Sequence, residues 1–382
     1  MSLVTIMIIV FWLALFLLFW TYIGYLAVLK IVSIFNVKKV IKQDYFPGTS
    51  FIITAYNEEK RIAKKIENSL ALSCPGDKLE IIVVSDGSTD RTNDIVRSYE
   101  NESVRLLALP QRKGKHYSQG RGIRLAENDI IVLSDATTFL KNNALEKIVR
   151  NFADAEVGCV SGLDRIINAG SGTYGEGAYV RYEMKLRSLE SAVNSLVGVS
   201  GCFFAVRKHL CENWIDNMSS DFYLPIISYM QGYRAVQDDE AVGYYESLDD
   251  PRDEFTRKVR TVVHGLEVLS RFRGILNPVK YGYFSLQMIS HKLSRWLVPL
   301  YLVLIFVTNI MLLDHGIFFS ATMTLQVIFY GLALAAFLVK DLENIFIFKM
   351  PLFFVMVNYS IVIAWRDFIT SKNFVLWEPT KR

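Results

Sequence analysis

Hydrophobic and polar positions divide the chain into three zones. Leu3 to Leu29 is almost unbroken apolar sequence, longer than the about 20 residues that cross a bilayer. From Ser50 onward, short apolar runs alternate with polar turns and stretches of helical spacing. Long apolar stretches return at Leu297 to Leu313, near Ile317 to Val339, and near Ile345 to Trp365. Asp314-His315-Gly316 and Lys340-Asp341-Leu342-Glu343 separate them, and Lys349 and Pro351 interrupt the last.

The middle zone predicts repeated strand, turn and helix. Ser50 to Thr54 is the first strand; it opens into Ala55-Tyr56-Asn57-Glu58-Glu59 and a helix carrying Ile62, Ile66 and Leu70 at helical spacing. The β-branched run Ile81-Ile82-Val83-Val84 reads as a fully buried parallel strand. It stops in Ser85-Asp86-Gly87-Ser88-Thr89-Asp90, where Gly87 permits a tight turn and the three residues after it favour a helix start. Val104 to Leu109 is the third strand. Asp129 to Leu133 is the fourth, ending in Ser134-Asp135-Ala136-Thr137-Thr138. The order predicts an α/β domain, a parallel sheet with helices on both faces.

A carboxylate in one β-α turn is ordinary. Here strand ends carry Asn57 and Glu58, then Asp86, then Asp135, at the edge where open α/β sheets bind ligands. Between the third and fourth strands lies Arg112-Lys113-Gly114-Lys115. A lysine beside carboxylates suits a phosphate-bearing ligand, with a divalent metal carrying the remaining charge. The sequence has no G-x-x-x-x-G-K-[ST] loop and no G-x-G-x-x-G after a strand, which argues against kinase-type and dinucleotide readings.

Charge narrows the partners. Lys+Arg 42 against Asp+Glu 38 leaves a net of +4, with no long basic block, so no nucleic acid is expected. Cys74, Cys159, Cys202 and Cys211 lack zinc spacing and read as free thiols. Lys30, Lys38, Lys39 and Lys42 follow the first apolar stretch, with no small-residue cleavage site, so it reads as an anchor rather than a signal peptide. The positive-inside rule then places the middle zone in the cytoplasm. Three further spans would leave the C-terminus outside, in conflict with Arg366, Lys372, Lys381 and Arg382. The expected division is a transmembrane helix with a basic segment over 1–43, a catalytic domain over 44–277, an interfacial amphipathic segment over 278–296, and about three spans with a tail over 297–382. His116, His209, His264, His291 and His315 read as scattered packing or surface residues. Arg181, Glu183 and Arg187 read as a solvated helix face, and Asp238-Asp239-Glu240 as a turn before a short strand.

AYNEE after the first strand, VVSDGSTDRT at the second, RKGK before the fourth and LSDATT at its end resemble the family 2 glycosyltransferases with the Rossmann-like GT-A fold. The likeness continues through Gly198 to Lys208, Ser219 to Pro225 and Gln231 to Val236, and covers about Ser50 to Trp296. The flanking spans are similar to those of membrane-embedded members that make exopolysaccharides and glycolipids. The resemblance implies an inverting enzyme at the cytoplasmic face of the cell membrane. Its donor is a nucleotide-sugar, most simply a UDP-sugar, and its acceptor is lipid-linked or a polysaccharide. By the same likeness Tyr56, Glu58 and Asp86 hold the nucleoside, and Lys115 contacts the diphosphate. Asp135 binds Mg²⁺ or Mn²⁺, and Asp221 is the catalytic base. Arg260, in Arg257-Lys258-Val259-Arg260-Thr261, matches the arginine of Q-x-x-R-W and binds the diphosphate. Thr137 replaces the second Asp of the DxD motif, Ser219-Ser220 precede Asp221 where the family has a Glu, and Thr261 replaces the tryptophan of processive relatives. Two rivals stay open: a processive polysaccharide synthase that translocates its product, and an inactive nucleotide-sugar-binding membrane protein.

Overall fold

The computed structural model describes residues 1–44, 46–74, 79–101, 103–167, 174–246 and 251–371. The chain begins with helix α1, Leu3–Phe35, 33 residues that run well past the predicted apolar limit at Leu29. Strand β1 (Thr49–Ala55) leads to helix α2 (Ile62–Leu70), β2 (Leu79–Ser85) to α3 (Thr92–Arg97), and β3 (Val104–Ala108) to α4 (Lys115–Leu125). Then come β4 (Ile130–Asp135), β5 (Phe139–Leu140), α5 (Ala144–Val149), β6 (Val157–Ile167), α6 (Tyr174–Val193), β7 (Phe203–Arg207), α7 (Ser220–Met230) and β8 (Arg234–Glu246). Helix α8 spans Pro251–Arg271. Helices α9 (Pro278–Met311), α10 (Ile317–Leu338) and α11 (Phe346–Ile369) follow.

The strands form one eight-stranded sheet in the order β3-β2-β1-β4-β7-β6-β8-β5. Strands β1 to β4 are parallel, as the alternating pattern predicts. The expectation of a parallel sheet fails beyond β4. Strand β7 runs antiparallel to both β4 and β6, so the sheet is mixed. Strand β7 reaches β4 only after β5, α5, β6 and α6, so its direction is set by packing far along the chain rather than by the local pattern, and it pairs antiparallel. Apolar side chains fill both faces. Ile52, Ile82, Val84, Leu133 and Phe204 face one core. Phe51, Ile53, Val83, Val132 and Phe203 face the other. The strict alternation along β1 is what a strand buried on both sides requires.

Several polar expectations are corrected by packing. Asp238-Asp239-Glu240 lies inside the long strand β8 rather than in a turn. Asp238 is buried, accepting from Asn151 Nδ2 at 2.8 Å and pairing with Lys42 at 3.0 Å and Arg150 at 3.2 Å. Burial works against the Asp238 carboxylate, but its hydrogen bonds and Lys42 hold it below the usual range. Glu183 and Arg187 are not a solvated face: their side chains are 10% and 13% exposed. The 278–296 segment packs on the α/β domain at its end. It continues into α9, and His291 and Arg295 are buried against α6, because Glu183 and Glu190 supply the partners a buried charge needs.

Among the described residues four helices, α1, α9, α10 and α11, are long and apolar enough to cross a membrane, as expected of a membrane protein. The C-terminal turn of α11 docks on the α/β domain: Trp365 Nε1 donates to Trp296 O at 2.8 Å, and Ala364 packs with Val259 and Val263 of α8. Arg366 therefore lies on the domain's side, where the charge rule prefers it. Lys372, Lys381 and Arg382 lie outside the described residues.

Candidate active site

The site grows from the carboxyl ends of β1, β2 and β4. At β1, Asn57 takes a left-handed conformation, φ 53°. Its amide donates to Ser88 Oγ at 3.1 Å and its Oδ1 accepts from Thr89 N at 2.9 Å, so the β1 and β2 turns are tied together. Glu58 is buried; its amide donates to Thr92 Oγ1 at 2.8 Å and its carboxylate faces Arg61 at 3.7 Å. At β2, Asp86 accepts from Lys113 N at 2.8 Å and Gly114 N at 2.7 Å. Asp86 therefore organises the basic loop, while each carboxylate oxygen keeps a lone pair for a ligand. The Arg112 guanidinium lies 4.0 Å from the Tyr56 ring centre, and its Nε and Nη2 are buried without an acceptor.

Helix α4 starts at Lys115, directly after Gly114, so the loop held by Asp86 aims Lys115 at β4. Lys115 Nζ sits 2.5 Å from Asp135 Oδ1 and donates to Gly201 O at 2.8 Å. Burial works against the Lys115 ammonium, but the surrounding groups, Asp135 foremost with Cys202 and Asp221, together hold it above its ordinary value. Gly201 links this pair to Asp221: a Cβ on Gly201 would lie 3.3 Å from Asp221 Oδ2. Asp221 stands in the first turn of α7, with Oδ1 accepting from Ser219 Oγ at 2.7 Å. Arg260 on α8 lies within electrostatic reach of Asp135, and burial pushes its guanidinium below its ordinary value. Lys115, Asp135 and Asp221 are thus brought together, with Arg260 in electrostatic reach of Asp135. Tyr56 and Asp86 line the loop side, and Glu58 turns toward Arg61.

Sequence reasoning missed two residues here. Lys65 of α2 is fully buried and donates to Ser134 Oγ at 2.8 Å and to Thr138 O, beneath the Asp135 turn. Burial pushes its ammonium down to about 7 against the pull of Asp135. Its signal was the spacing Ile62, Lys65, Ile66, Ser69, one buried face. His116 is the second. It follows Lys115, contacts Ser220 at 3.4 Å and lies 6.1 Å from the His264 ring. Burial drives it well below its ordinary value, so the imidazole beside Asp221 is neutral.

A cavity of about 310 Å³ extends from Asp221 and Ser219 toward the apolar helices, reaching Tyr22, Val357 and Ser360. Trp296 walls it and packs edge-on against Phe222 at 6.0 Å. Among the described residues no group of three His, Cys, Asp or Glu is placed to hold a metal.

Residues 50–214 match the model of glycosyl transferase family 2, a match that supports glycosyltransferase activity. Among curated proteins the chain is similar to the poly-β-1,6-N-acetyl-D-glucosamine synthase of Staphylococcus aureus, 27% identical over 280 residues, 71% of this chain and 67% of that protein. The synthase of the same name from Staphylococcus epidermidis is 27% identical over 179 residues, 44% of this chain and 43% of that one. Among solved structures, the mannosyltransferase PcManGT from Pyrobaculum calidifontis, in complex with GDP-Man and Mn²⁺, superposes with a TM-score of 0.73 at 21% identity. The match covers 95% of this chain and 100% of that one, and it establishes the GT-A fold.

Proposed function

We propose that this chain is an inverting, metal-dependent glycosyltransferase. It moves a sugar from a nucleotide-sugar, a UDP-sugar by preference, to a lipid-linked or saccharide acceptor at the cytoplasmic face of the cell membrane. The observation that carries this is the Lys115 bridge: its ammonium contacts Asp135 and the Gly201 carbonyl beside Asp221. A group for a diphosphate and a group for a nucleophile's proton thus share one crevice. The Mn²⁺ and GDP-Man of the mannosyltransferase and the polymer made by the staphylococcal synthase support the donor and acceptor classes.

In this reading Tyr56, Glu58 and Asp86 hold the nucleoside, and Lys115 and Arg260 bind the diphosphate. Asp135 would hold a divalent ion, which when bound supplies positive charge to the leaving diphosphate. Asp221 accepts the proton of the acceptor hydroxyl. That oxygen forms its bond to the anomeric carbon as the bond to the diphosphate breaks, with inversion. Ser219 holds one Asp221 oxygen and leaves the other toward Gly201. The divisions at 1–43, 44–277, 278–296 and 297–382 are proposed to separate anchor, catalysis, junction and spans.

A processive synthase is the second reading, favoured by the similarity to a polymer-making enzyme and by Trp296. That residue walls the cavity where Thr261 brings no aromatic ring. Calorimetric titration of UDP and GDP into the full chain in detergent, with and without Mn²⁺, tests the donor assignment. UDP binding that strengthens with Mn²⁺ and loses that gain in Asp135→Asn supports it. Absence of nucleotide binding, or a gain unchanged by Asp135→Asn, contradicts it.

A further inference from the structure

The cavity between Asp221 and the apolar helices carries guanidinium donors with no hydrogen-bond acceptor among the described residues, although Arg295 also lies 5.8 Å and 5.3 Å from the Tyr179 and Tyr182 ring centres. Arg295 gives Nη1 to Glu183 Oε2 at 2.6 Å and to Tyr179 Oη at 3.2 Å, while its Nε and Nη2 are buried without an acceptor. Arg187 lies on the other oxygen of the same carboxylate, Nε to Glu183 Oε1 at 3.4 Å, and its Nε and Nη1 likewise have no hydrogen-bond acceptor. Both residues line the cavity, and Glu183 fixes them as neighbours.

Four carboxylates line the cavity: Asp164 accepts from Ser200 Oγ at 2.6 Å, Asp221 accepts from Ser219 Oγ at 2.7 Å, and Glu183 and Glu254 are paired with cations. Glu183 is shared by Arg295, Arg187 and His291 Nε2 at 3.0 Å. Glu254 is taken by Arg257 at 2.8 Å and by Lys258. Lys292, also in the wall, adds a further cation 3.8 Å from Glu183. What is left at the membrane end is an excess of donors and of positive charge. A buried donor left unsatisfied costs about 1–3 kcal/mol, more when charged, so two half-used guanidiniums facing one cavity call for a ligand that only accepts. A neutral sugar brings hydroxyl donors along with its acceptors and no charge to offset the guanidiniums. A phosphate brings acceptors alone and matches the guanidinium fork.

We propose that this cavity is an acceptor site recognising the phosphate of a membrane lipid, with Arg187 and Arg295 as its anion-binding pair. The proposal rests on the glycosyltransferase reading above and narrows it. The lipid source follows from the walls: Tyr22 belongs to α1, and Val357 and Ser360 belong to α11, both long enough to cross a bilayer. A phosphate held there places the rest of the head group toward Asp221 and the tail among the apolar helices. The donor's diphosphate is held elsewhere, at Lys115 and Asp135.

The test uses the full chain in phosphatidylcholine nanodiscs that contain polyprenyl phosphate or neutral polyprenol, with inorganic phosphate in a third arm. UDP affinity is measured in parallel. Binding of polyprenyl phosphate at least about tenfold tighter than polyprenol is expected. That preference is lost in Arg187→Met and in Arg295→Lys, which keeps the charge beside Glu183 and removes the orphan donors, with melting temperature and UDP affinity held. Equal binding of the two lipids, or a preference that survives both substitutions, overturns the proposal. Saturation by inorganic phosphate with no advantage for the lipid overturns the lipid source. Loss of UDP binding in the wild type counts against the donor reading and leaves the lipid comparison standing.

Discussion

Lys115 is where the local chemistry is densest. It is pinned from below by the loop that Asp86 holds, and its ammonium spans Asp135 and Gly201. Replacing it with Met frees Asp135 and, on the proposed reading, removes a charge-assisted contact to the diphosphate. Hydrogen bonds to charged groups contribute about 1.5–3 kcal/mol, so UDP affinity is expected to fall roughly tenfold to a hundredfold in Lys115→Met, read by calorimetry. The positions of Asp86 and Asp135 at strand ends and of Lys115 in the basic loop were legible because turn chemistry is local, whereas Asp221 was reached only through the family resemblance. Lys65 was not, because a lysine among polar neighbours on a short helix reads as solvated. The tertiary packing of Phe51 and the Ser134-Thr138 turn buries it. Glu183 and Arg187 failed for the same reason: their partners His291 and Arg295 lie on a distant helix, which no local spacing reveals.

At the scale of elements, the turn after β2 and the basic loop are built against each other. Gly87 has φ 68°, and a Cβ there would lie 2.5 Å from Arg112 N. Gly87→Ala forces a left-handed alanine into loop backbone. A strained position of this kind costs about 1–3 kcal/mol, so a lowered melting temperature and weaker nucleotide binding are expected together. Stability without loss of binding would mean the loop is not organised by this turn. Strand β8 gives a second test through Asp238. Its folded carboxylate is held below the unfolded value of about 3.9, so its contribution is present above that pH and is lost as pH falls through the folded value. Asp238→Asn is expected to destabilise by about 1.5–3 kcal/mol at pH 7, because Lys42 and Asn151 lose a charged partner while Arg150 keeps Glu240. The gap to wild type should close below pH about 4 in denaturant titrations. The parallel strands were readable from apolar runs and turns. The antiparallel return of β7 and the length of β8 were not, since register depends on partners far along the chain.

At the scale of the whole molecule, the α/β domain and the apolar helices are one packed unit with the site near their seam. Trp20 Nε1 donates to Ser290 Oγ at 3.0 Å, Thr21 and Ser294 hydroxyls meet at 2.6 Å, and Tyr25 Oη donates to Glu190 at 2.6 Å. These contacts join the first helix to α9 and α6, and the cavity runs from that seam to Asp221. The apolar zones were plain from composition. Their docking was not, because a long apolar stretch records its solvent and not its neighbours. The account stands most directly on one measurement: metal-dependent nucleotide release from UDP-sugars by the full chain in membranes, compared with Asp221→Asn. General-base removal typically costs about 10²–10⁴ in rate, so the account predicts turnover of one donor, a loss of that size in the variant, and unchanged UDP affinity. Turnover that survives Asp221→Asn would contradict it.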